Sequence, residues 1–427
     1  MKESGIDWIG QIPEEWYLGK VKFFSKISAG ATPDRNNIFF WNGDINWMSS
    51  GEVNQEVVTH TAETITTLAL KRTSTKLLPI GTVMLALNGQ GKTKGTAAVL
   101  AIETASNQSL ASFIVDNAKV NNIYLYYFLK ANYSNIRGLK GEDRDGLNLQ
   151  LVSNIIIPLL DIKEQQKIAD FLDKKTAQLD KAKALLEEQI RKLKDYRASL
   201  IYETVTKGLD KTVPLKDSGI DWIGQVPEGW GVTKIKNIVN IERGASPRPI
   251  DKFISDDGTG VNWIRIGDTH KGIKYITSTK LKITNRGKQY SRYIHPGTLI
   301  LSNSMSFGEP YISSIYGCIH DGWLSLAPFN NISKEYLYWL LLSDVCTSQF
   351  NLVSIGAVVE NLSVDKVGNT LIPMPYSLSE QTKISDFLDK KTVQIDQLIQ
   401  IKNKQIDNIN KQRQTLIYDY VTGKRRV

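Results

Sequence analysis

Apolar residues recur every seven positions in two long segments of the chain, one near the middle and one at the end. The middle segment carries the repeat on Leu172, Leu179, Leu186, Leu193 and Leu200. The final segment carries it on Leu388, Ile395, Ile409 and Leu416, with Lys402 at the intervening heptad position. Sustained heptads with charges between them predict two long helices whose apolar stripes pair as a coiled coil.

Capping signals mark where these helices begin. Asp161 with Glu164, and Ser377 with Glu380, have the spacing of a capping box, in which a short oxygen side chain and a glutamate satisfy free N–H groups. Neither Pro nor Gly follows until Gly208 or Gly423, so each helix has about 40 residues and a length of about 60 Å. The alternative is that each helix packs against its own domain.

The remaining sequence alternates short apolar runs with Gly, Asn, Pro and Ser. Runs such as "TVMLAL" (82–87), "ASFIV" (111–115) and "TLILSNS" (298–304) predict strands. Two stretches, "NIYLYYFLKAN" (122–132) and "SKEYLYWLLLSDV" (333–345), are helical in pattern. The predicted fold class outside the long helices is therefore α+β.

The chain also repeats itself. "SGIDWIGQIPEEW" at 4–16 returns as "SGIDWIGQVPEGW" at 218–230, and "GATP" at 30–33 returns as "GASP" at 244–247. A period above 200 residues indicates tandem domains, because solenoid units have some 20 to 50 residues. Duplicated units most simply adopt a pseudo-two-fold arrangement, which makes the two helices antiparallel. We expect the Trp and Ile residues of each opening segment to fix a domain to a helix end, the first copy near the end of the second helix.

These patterns divide the chain into four predicted segments. The first α+β domain is predicted at 1–160, the first spacer helix at 161–207, the second α+β domain at 208–376 and the second spacer helix at 377–427.

Composition narrows the class of protein. No apolar run approaches the roughly 20 residues that span a bilayer, and the N-terminus has no apolar signal core, so we expect a cytoplasmic protein. Cys318 and Cys346 lie 28 positions apart with no histidine cluster near them, which argues against a disulfide or a metal site. A net charge of +9 favours an anionic partner.

The positive charge is concentrated in two acid-free windows. No Asp or Glu lies between Glu63 and Glu103, or between Asp268 and Glu309, and the windows overlap when the repeats are superimposed. Basic residues interleaved with amides and hydroxyls suit phosphate and base-edge contacts, although a solvated face without a ligand is the simpler alternative. The predicted DNA-binding residues are Arg35, Lys71, Arg72, Lys76, Asn88, Gln90, Lys92, Lys94, Arg248, Lys271, Arg286, Lys288, Arg292 and Asn303.

The sequence contains no convincing catalytic motif. "ALNGQGKT" (86–93) fits a relaxed phosphate-loop pattern, but the β-prone run after Gly95 predicts a hairpin where a phosphate loop would open a helix. The four histidines are scattered, and the "DPPY" and "NPPF" signatures of adenine methyltransferases are absent from the sequence. We predict a non-catalytic chain. An ATP-dependent enzyme using Lys92 and a protein-binding coiled-coil scaffold are the alternatives.

Three segments carry the pattern of a known family: "LLPIGTVMLALNGQGKTKGTAAVLAIETASNQ" (77–108), "LNLQLVSNIIIPLLDIKEQQKIADFLDKKTAQLD" (147–180) and "LIPMPYSLSEQTKISDFLDKKTVQID" (371–396). On these segments the whole chain resembles the specificity subunit of type I restriction-modification systems. It implies two target recognition domains that each read one half of a bipartite double-stranded DNA site, with the helices as spacer. It also implies two methyltransferase subunits and restriction motor-nuclease subunits as partners. S-adenosylmethionine, ATP and Mg would be used by those partners, and no cofactor by this chain.

Overall fold

The computed structural model describes residues 1–139, 146–255, 258–304, 307–354 and 361–427. The chain divides into two compact units. Unit 1 comprises Met1–Leu186 and Asn403–Val427, and unit 2 comprises Glu187–Lys402. Each unit contains one globular part and segments of both long helices, α5 (Ile162–Lys207) and α10 (Leu378–Val421).

Unit 1 has twelve strands among its described residues, most of them short. They are β1 Lys2–Glu3, β2 Gln11–Ile12, β3 Tyr17–Lys20, β4 Ser25–Ala29, β5 Trp41–Met48, β6 Val57–Val58, β7 Glu63–Ile65, β8 Val83–Ala86, β9 Ala97–Leu100, β10 Ala105–Ser106, β11 Leu110–Val115 and β12 Ile156–Leu159. Its shorter helices are α1 Thr67–Arg72, α2 Asn122–Ala131, α3 Tyr133–Gly138 and α4 Leu149–Ser153.

Unit 2 repeats this inventory with small differences. Its strands are β13 Leu215–Asp217, β14 Gln225–Pro227, β15 Trp230–Lys234, β16 Val239–Arg243, β17 Val261–Ile264, β18 Tyr275–Ile276, β19 Leu281–Ile283, β20 Arg292–Ile294, β21 Leu299–Ser302, β22 Pro310–Ser313, β23 Gly317–Ile319, β24 Trp323–Pro328 and β25 Leu371–Pro375. Its shorter helices are α6 Asn285–Lys288, α7 Lys334–Leu342, α8 Asp344–Ser354 and α9 Val364–Gly368.

A five-stranded sheet organises each unit. The strand order is β4-β11-β8-β9-β6 in unit 1 and β16-β24-β21-β22-β18 in unit 2, and in both sheets the last strand joins in parallel. Because successive side chains alternate between the faces of a strand, Val83 and Leu85 enter one core while Met84 enters another. Leu299 and Ile300 divide in the same way in unit 2. The α+β class and the tandem repeat are confirmed.

Both long helices take part in the packing of each unit, and they do so antiparallel. In unit 1 the rings of Phe171 and Tyr420 lie 4.5 Å apart, and further along Asp180 lies 3.2 Å from Arg413. In unit 2 the corresponding pair is Arg197 with Asp396, at 3.4 Å. As numbers rise along one helix they fall along the other. These contacts contradict the alternative in which each helix packs only on its own domain. The pairing is compatible with an antiparallel coiled coil.

The heptad residues differ in burial. Leu172 and Leu388 are buried in the cores of the globular parts, and Ile395 is buried further along α10. The remaining members are partly exposed: Leu179, Leu186, Leu193, Leu200, Ile409 and Leu416. Lys402 lies at the heptad position and its Nζ donates to Gln189 Oε1 at 2.6 Å, so its charge stays at the surface of the helix pair.

The helices begin where the capping signals predict, but one glutamate has a different partner. Asp161 accepts from the Lys163 N–H, and Ser377 from the Glu380 N–H. The Glu380 carboxylate accepts from the indole of Trp230 at 3.1 Å, which ties the opening segment of unit 2 to the helix start. The Ser377 side chain thus caps the helix, while the Glu380 carboxylate binds the indole.

Two buried glutamines fasten the globular parts to the helix starts. In unit 1, Gln165 donates to the carbonyl oxygens of Leu160 and Lys119 and accepts from the Asn121 N–H that precedes α2. Gln381 does the same in unit 2, where it accepts from the Ser333 N–H before α7. Both glutamines are fully buried, and these hydrogen bonds satisfy the buried amides.

The far ends of the helices are held by matching tyrosines. In unit 1 the Tyr124 hydroxyl donates to Val421 O at 2.9 Å, and in unit 2 that of Tyr336 donates to Val205 O at 3.2 Å. Burial raises the pKa of both tyrosines, so both hydroxyls keep their proton for donation.

The opening segment joins the helix end within unit 1. Tyr418 and Lys424, at the end of α10, both donate to Ile9 O. Trp16 is buried in the same core as Ile417 and Val421. The first copy of the duplicated segment therefore packs at the end of the second helix, as predicted.

Candidate nucleic-acid interface

A recurring tetrapeptide follows the first strand of each five-stranded sheet. It is Gly30–Pro33 after β4 and Gly244–Pro247 after β16. A Cβ at Gly30 would lie 2.0 Å from Ser106 O, and one at Gly244 would lie 2.1 Å from His320 O. Only glycine allows this approach, which holds the segment against the neighbouring strand. The residues that follow lie at the surface, among them Arg35 and Arg248.

Arg35 is fixed in unit 1 by two aromatic rings and a carboxylate. Its guanidinium carbon lies 4.0 Å from the ring centroid of Trp41 and 5.0 Å from that of Trp47. Both terminal nitrogens of Arg35 donate to Glu63, whose pKa is lowered by these hydrogen bonds. Stacking and bidentate pairing hold the planar fork in one orientation. Arg35 nevertheless keeps 52% of its side chain exposed.

Helix α1 adds two cations beside the Arg35 loop. The Thr66 hydroxyl, which caps α1, donates to Phe39 O at 2.8 Å, and the Thr66 N–H donates to Phe40 O at 3.0 Å. Lys71 and Arg72 lie exposed in the last turn of this helix. The structure thus brings three of the predicted residues onto neighbouring elements. Lys76 is exposed in the loop after the helix.

The predicted residues between β8 and β9 form a second group. These are Asn88, Gln90, Lys92 and Lys94. Their hairpin packs on α3, because the Tyr133 hydroxyl donates to Lys92 O at 2.9 Å and Arg137 Nη1 donates to Lys94 O at 3.0 Å. β8 and β9 pair antiparallel, as the hairpin prediction requires. A phosphate loop would open a helix at this point, so the geometry does not support nucleotide binding by Lys92.

Arg248 is the counterpart of Arg35 in unit 2, with a different set of partners. Its Nη2 donates to Asp321 Oδ2 at 3.1 Å, and the Ser246 hydroxyl donates to Asp321 Oδ1 at 2.7 Å. The Ser246 hydroxyl, helped by Arg248, lowers the pKa of Asp321 although partial burial opposes this. Arg248 is 81% exposed and lines a cleft of about 920 Å³ together with Arg265 and His320. Burial lowers the pKa of His320, which keeps its ring neutral near pH 7.

The other predicted residues of unit 2 are spread over several elements. Arg286 is exposed on α6, and Lys288 at the end of that helix lies 3.7 Å from the ring centroid of Tyr293. Lys271 pairs with Glu309 at 2.9 Å, and Arg292 with Glu242 at 2.6 Å.

Asn303 is buried inside unit 2, whereas the other predicted residues are at least partly exposed. It is 1% exposed, and its amide donates to Asp321 O at 3.1 Å. Asn303 therefore supports the Asp321 loop from inside the unit, because a buried amide has no surface to offer a base edge.

Carboxylates from outside the acid-free windows, or from their edges, neutralise part of the predicted positive surface. Glu63, Glu242, Glu309 and Asp321 each hold one of the predicted cations. A phosphate must compete with these carboxylates, but the cations are already oriented. Sequence reasoning missed Trp41, Ser246 and the acidic partners. The sequence signal that could have located the Arg35 and Arg248 loops is the tetrapeptide that recurs at Gly30–Pro33 and Gly244–Pro247.

The residues that the structure describes contain no group of three or more His, Cys, Asp or Glu side chains placed to hold a metal ion. Cys318 and Cys346 are buried free thiols. Within the same residues, none of the helices has the length and apolarity needed to traverse a lipid bilayer.

Comparison with known proteins identifies the family. The family model described as type I restriction modification DNA specificity domain matches residues 13–193 and 227–411, once in each half. The chain belongs to the family of type I restriction-modification specificity subunits. Both matched ranges include the glycine-anchored tetrapeptide, so the loops that carry Arg35 and Arg248 lie inside the family domains.

Relatives and solved structures agree with the family and the fold. The specificity subunit of the type I restriction enzyme MjaVIII from Methanocaldococcus jannaschii is 26% identical over 321 residues, which cover 73% of this chain and 72% of that one. A solved structure described by the assembly and conformational transition of the type I R-M system covers 96% of this specificity subunit and 98% of its own chain, with a TM-score of 0.76 at 16% identity. The HsdS subunit from Thermoanaerobacter tengcongensis covers 97% and 98%, with a TM-score of 0.57 at 14% identity.

Proposed function

We propose that this chain is the non-catalytic subunit that reads a bipartite DNA site, with one half-site bound by the globular part of unit 1 and the other by that of unit 2. The observation that carries the proposal is the repeated loop geometry. In each unit a glycine pinned against a strand precedes an exposed arginine, Arg35 or Arg248, that a carboxylate holds in place. An oriented guanidinium is suited to phosphate and to the O6 and N7 atoms of guanine.

The two units read different bases in this proposal. Arg35 is stacked on tryptophans and paired with Glu63, whereas Arg248 lies at an open cleft and is paired with Asp321. Specificity resides in the side chains that face base edges, while the common framework and the surrounding lysines contact phosphates. A shared framework with unlike surroundings therefore supports two independent half-sites.

The long helices have two roles in this proposal. They set the unspecified spacing between half-sites, and they offer docking surfaces to two methyltransferase subunits. Exposed apolar side chains on the helical segments of unit 2 support protein docking: Tyr196 is 55% exposed, Leu398 47% and Ile401 55%. Restriction motor-nuclease subunits complete the complex. S-adenosylmethionine, ATP and Mg are used by these partners.

Selection from random duplexes tests the proposal against a protein-binding scaffold. The full chain is incubated with a duplex library in excess random DNA at rising salt, and bound duplexes are sequenced. We expect enrichment of two short fixed sequences at constant separation, with an affinity that falls steeply as salt rises, because phosphate contacts release counterions. A scaffold would enrich no sequence, and that result would remove the proposed function.

A further inference from the structure

Two large apolar side chains stand exposed next to Arg35. Ile38 is 77% exposed and Phe39 is 70% exposed, and they are consecutive residues of the 3-10 turn Ile38–Phe40. Ile38 is the most exposed of the large hydrophobic residues in the part of the chain that the structure describes. Single exposed apolar residues are ordinary, but an adjacent pair on one turn calls for a partner.

The turn that carries this pair is tightly bonded. The Asn37 side chain accepts from the Phe39 N–H at 3.1 Å, and Asn37 O accepts from the Phe40 N–H at 3.0 Å. The Trp41 indole donates to Asp34 O at 3.0 Å, and Thr66 donates to the carbonyls of Phe39 and Phe40. The backbone therefore presents the apolar pair outward in a fixed geometry, and little conformational entropy is lost when a partner binds it.

Three cations lie on the loop and helix next to the pair, although Glu63 holds one of them. Arg35 precedes the turn, and α1, which is bonded to the turn through Thr66, ends in Lys71 and Arg72. The six residues of α1 place these cations about 9 Å along the helix from that contact. An apolar tip on a turn that is bonded to a cation-bearing helix suits a base step and its neighbouring phosphates, which are negatively charged on both sides of a flat apolar stack.

Unit 2 has the same turn without the apolar pair. Its 3-10 turn Ile250–Lys252 precedes Phe253, whose carbonyl accepts from the Thr284 N–H at 2.8 Å, just as Phe40 O accepts from Thr66. There the second and third residues of the turn are Asp251 and Lys252, and the ring of Phe253 packs on Tyr290. The apolar pair therefore belongs to unit 1, and the common framework does not require it.

We propose that Ile38 and Phe39 form a wedge that enters a base step of the half-site bound by unit 1 and unstacks it. This inference rests on the proposed function. The chemical partner is the base stack of a DNA duplex, recognised by apolar contact, with Arg35, Lys71 and Arg72 on adjacent phosphates or base edges. Specificity at that step arises from the ease with which the sequence is unstacked, and pyrimidine–purine steps yield most readily.

The experiment uses the full-length chain and the duplex that the wild-type protein selects. A fluorescent adenine analogue is placed at successive positions of both half-sites, and its fluorescence rises where a base loses its stacking neighbour. The variants are Phe39→Ala and the double variant Ile38→Ala with Phe39→Ala. The matched control is Phe23→Ala, which removes a ring of similar exposure, 65%, from another part of unit 1. Circular dichroism confirms that each variant is folded.

We expect the wild type and Phe23→Ala to raise the fluorescence at one step of one half-site, and Phe39→Ala to abolish that rise. The double variant is expected to bind about tenfold more weakly, because the contacts that offset unstacking are gone. An abasic site at the same step removes the unstacking cost. On that duplex the variant and the wild type are expected to agree within about twofold.

Three results would overturn the wedge. Phe39→Ala could leave the fluorescence rise unchanged, or the Phe23→Ala control could abolish it equally. The variant could also bind DNA normally yet fail to co-purify with a methyltransferase subunit, which would assign the pair to protein docking. In all three cases the wild type still selects a duplex, so the proposed function stands. A wild-type chain without sequence selectivity would remove the function and the wedge together.

Discussion

Replacing Arg413 should destabilise unit 1 more than the equivalent change destabilises unit 2. Arg413 lies on α10 with its side chain 17% exposed, and it contacts two carboxylates. Its Nη2 lies 3.0 Å from Glu56 Oε2, and its Nε lies 3.2 Å from Asp180 Oδ1, although only the Nη2 contacts have hydrogen-bond geometry. Glu56 also receives Lys130 Nζ at 2.5 Å. Arg413 therefore joins the globular part of unit 1 to both helices.

The magnitude follows from these contacts. A hydrogen bond to a charged group contributes about 1.5–3 kcal/mol when buried. Glu56 and Asp180 are 46% and 54% exposed, so solvent screening reduces each contribution toward the value of about 1 kcal/mol for surface pairs. We expect Arg413→Met to lower the free energy of unfolding of unit 1 by about 2 kcal/mol. Arg197, the equivalent residue, contacts one carboxylate, so Arg197→Met should cost unit 2 about 1 kcal/mol.

Hydrogen exchange measured by mass spectrometry on the full chain gives both values at once. Amides of β8 and β11 report unit 1, and those of β21 and β24 report unit 2. The expected loss of protection is about 30-fold for Arg413→Met in unit 1 and about fivefold for Arg197→Met in unit 2. Each variant serves as the control for the other. Equal losses for the two variants, or a loss from Arg413→Met that is as large in unit 2 as in unit 1, would refute the reasoning.

Three further predictions concern pH, charge and spacing. Burial opposes ionisation of Glu56, but Lys130 and Arg413 outweigh it and lower the pKa of this carboxyl. The stabilisation is therefore present above the ordinary pKa of 4.5 and is lost as pH falls through the lower folded-state pKa. The free energy of unfolding of the wild type and of Glu56→Gln, measured against pH, checks this, and parallel curves would contradict it. Replacing Lys71 and Arg72 by Gln should weaken binding to specific and random duplexes alike and reduce the slope of log affinity against log salt concentration by about 2. Fluorescence anisotropy measures this slope, and an unchanged slope would exclude these phosphate contacts. Matched insertions of whole heptads in α5 and α10 should lengthen the gap between the selected half-sites without changing the sequence of either half-site. The selected duplexes are sequenced, and an unaltered gap would count against the spacer role.

The regular features of the fold follow from the sequence because each rests on a local or repeated signal. The heptads, the N-caps and the absence of Pro and Gly predict α5 and α10 to within a residue or two at their starts, and the duplicated segments predict the tandem units. The opening segments also follow, because an antiparallel helix pair brings the first copy to the end of the second helix. Every residue of β8 and β21 is buried, which agrees with their predominantly apolar runs, because such strands need cover on both faces.

The interface is less accessible to sequence reasoning because it depends on pairings between distant residues. Glu63 and Asp321 come from outside the acid-free windows and pair with Arg35 and Arg248 through the tertiary fold. Asn303 follows a strand in an apolar run, and no local signal separates its buried amide from an exposed one. Glu380 has the capping-box spacing, yet its partner Trp230 lies 150 residues away. Charge composition thus located the basic regions but not their orientation.

The central claim is that one chain reads two half-sites at a fixed separation, and the methylome of the host tests it most directly. DNA from cells with and without the gene is sequenced by a method that detects methylated adenine. The account predicts that deletion removes methylation from one bipartite motif, two short sequences separated by a constant number of unspecified base pairs, and that the intact gene restores it. Unchanged methylation in a host whose methyltransferase subunits are expressed, or loss of a single continuous motif, would contradict the account.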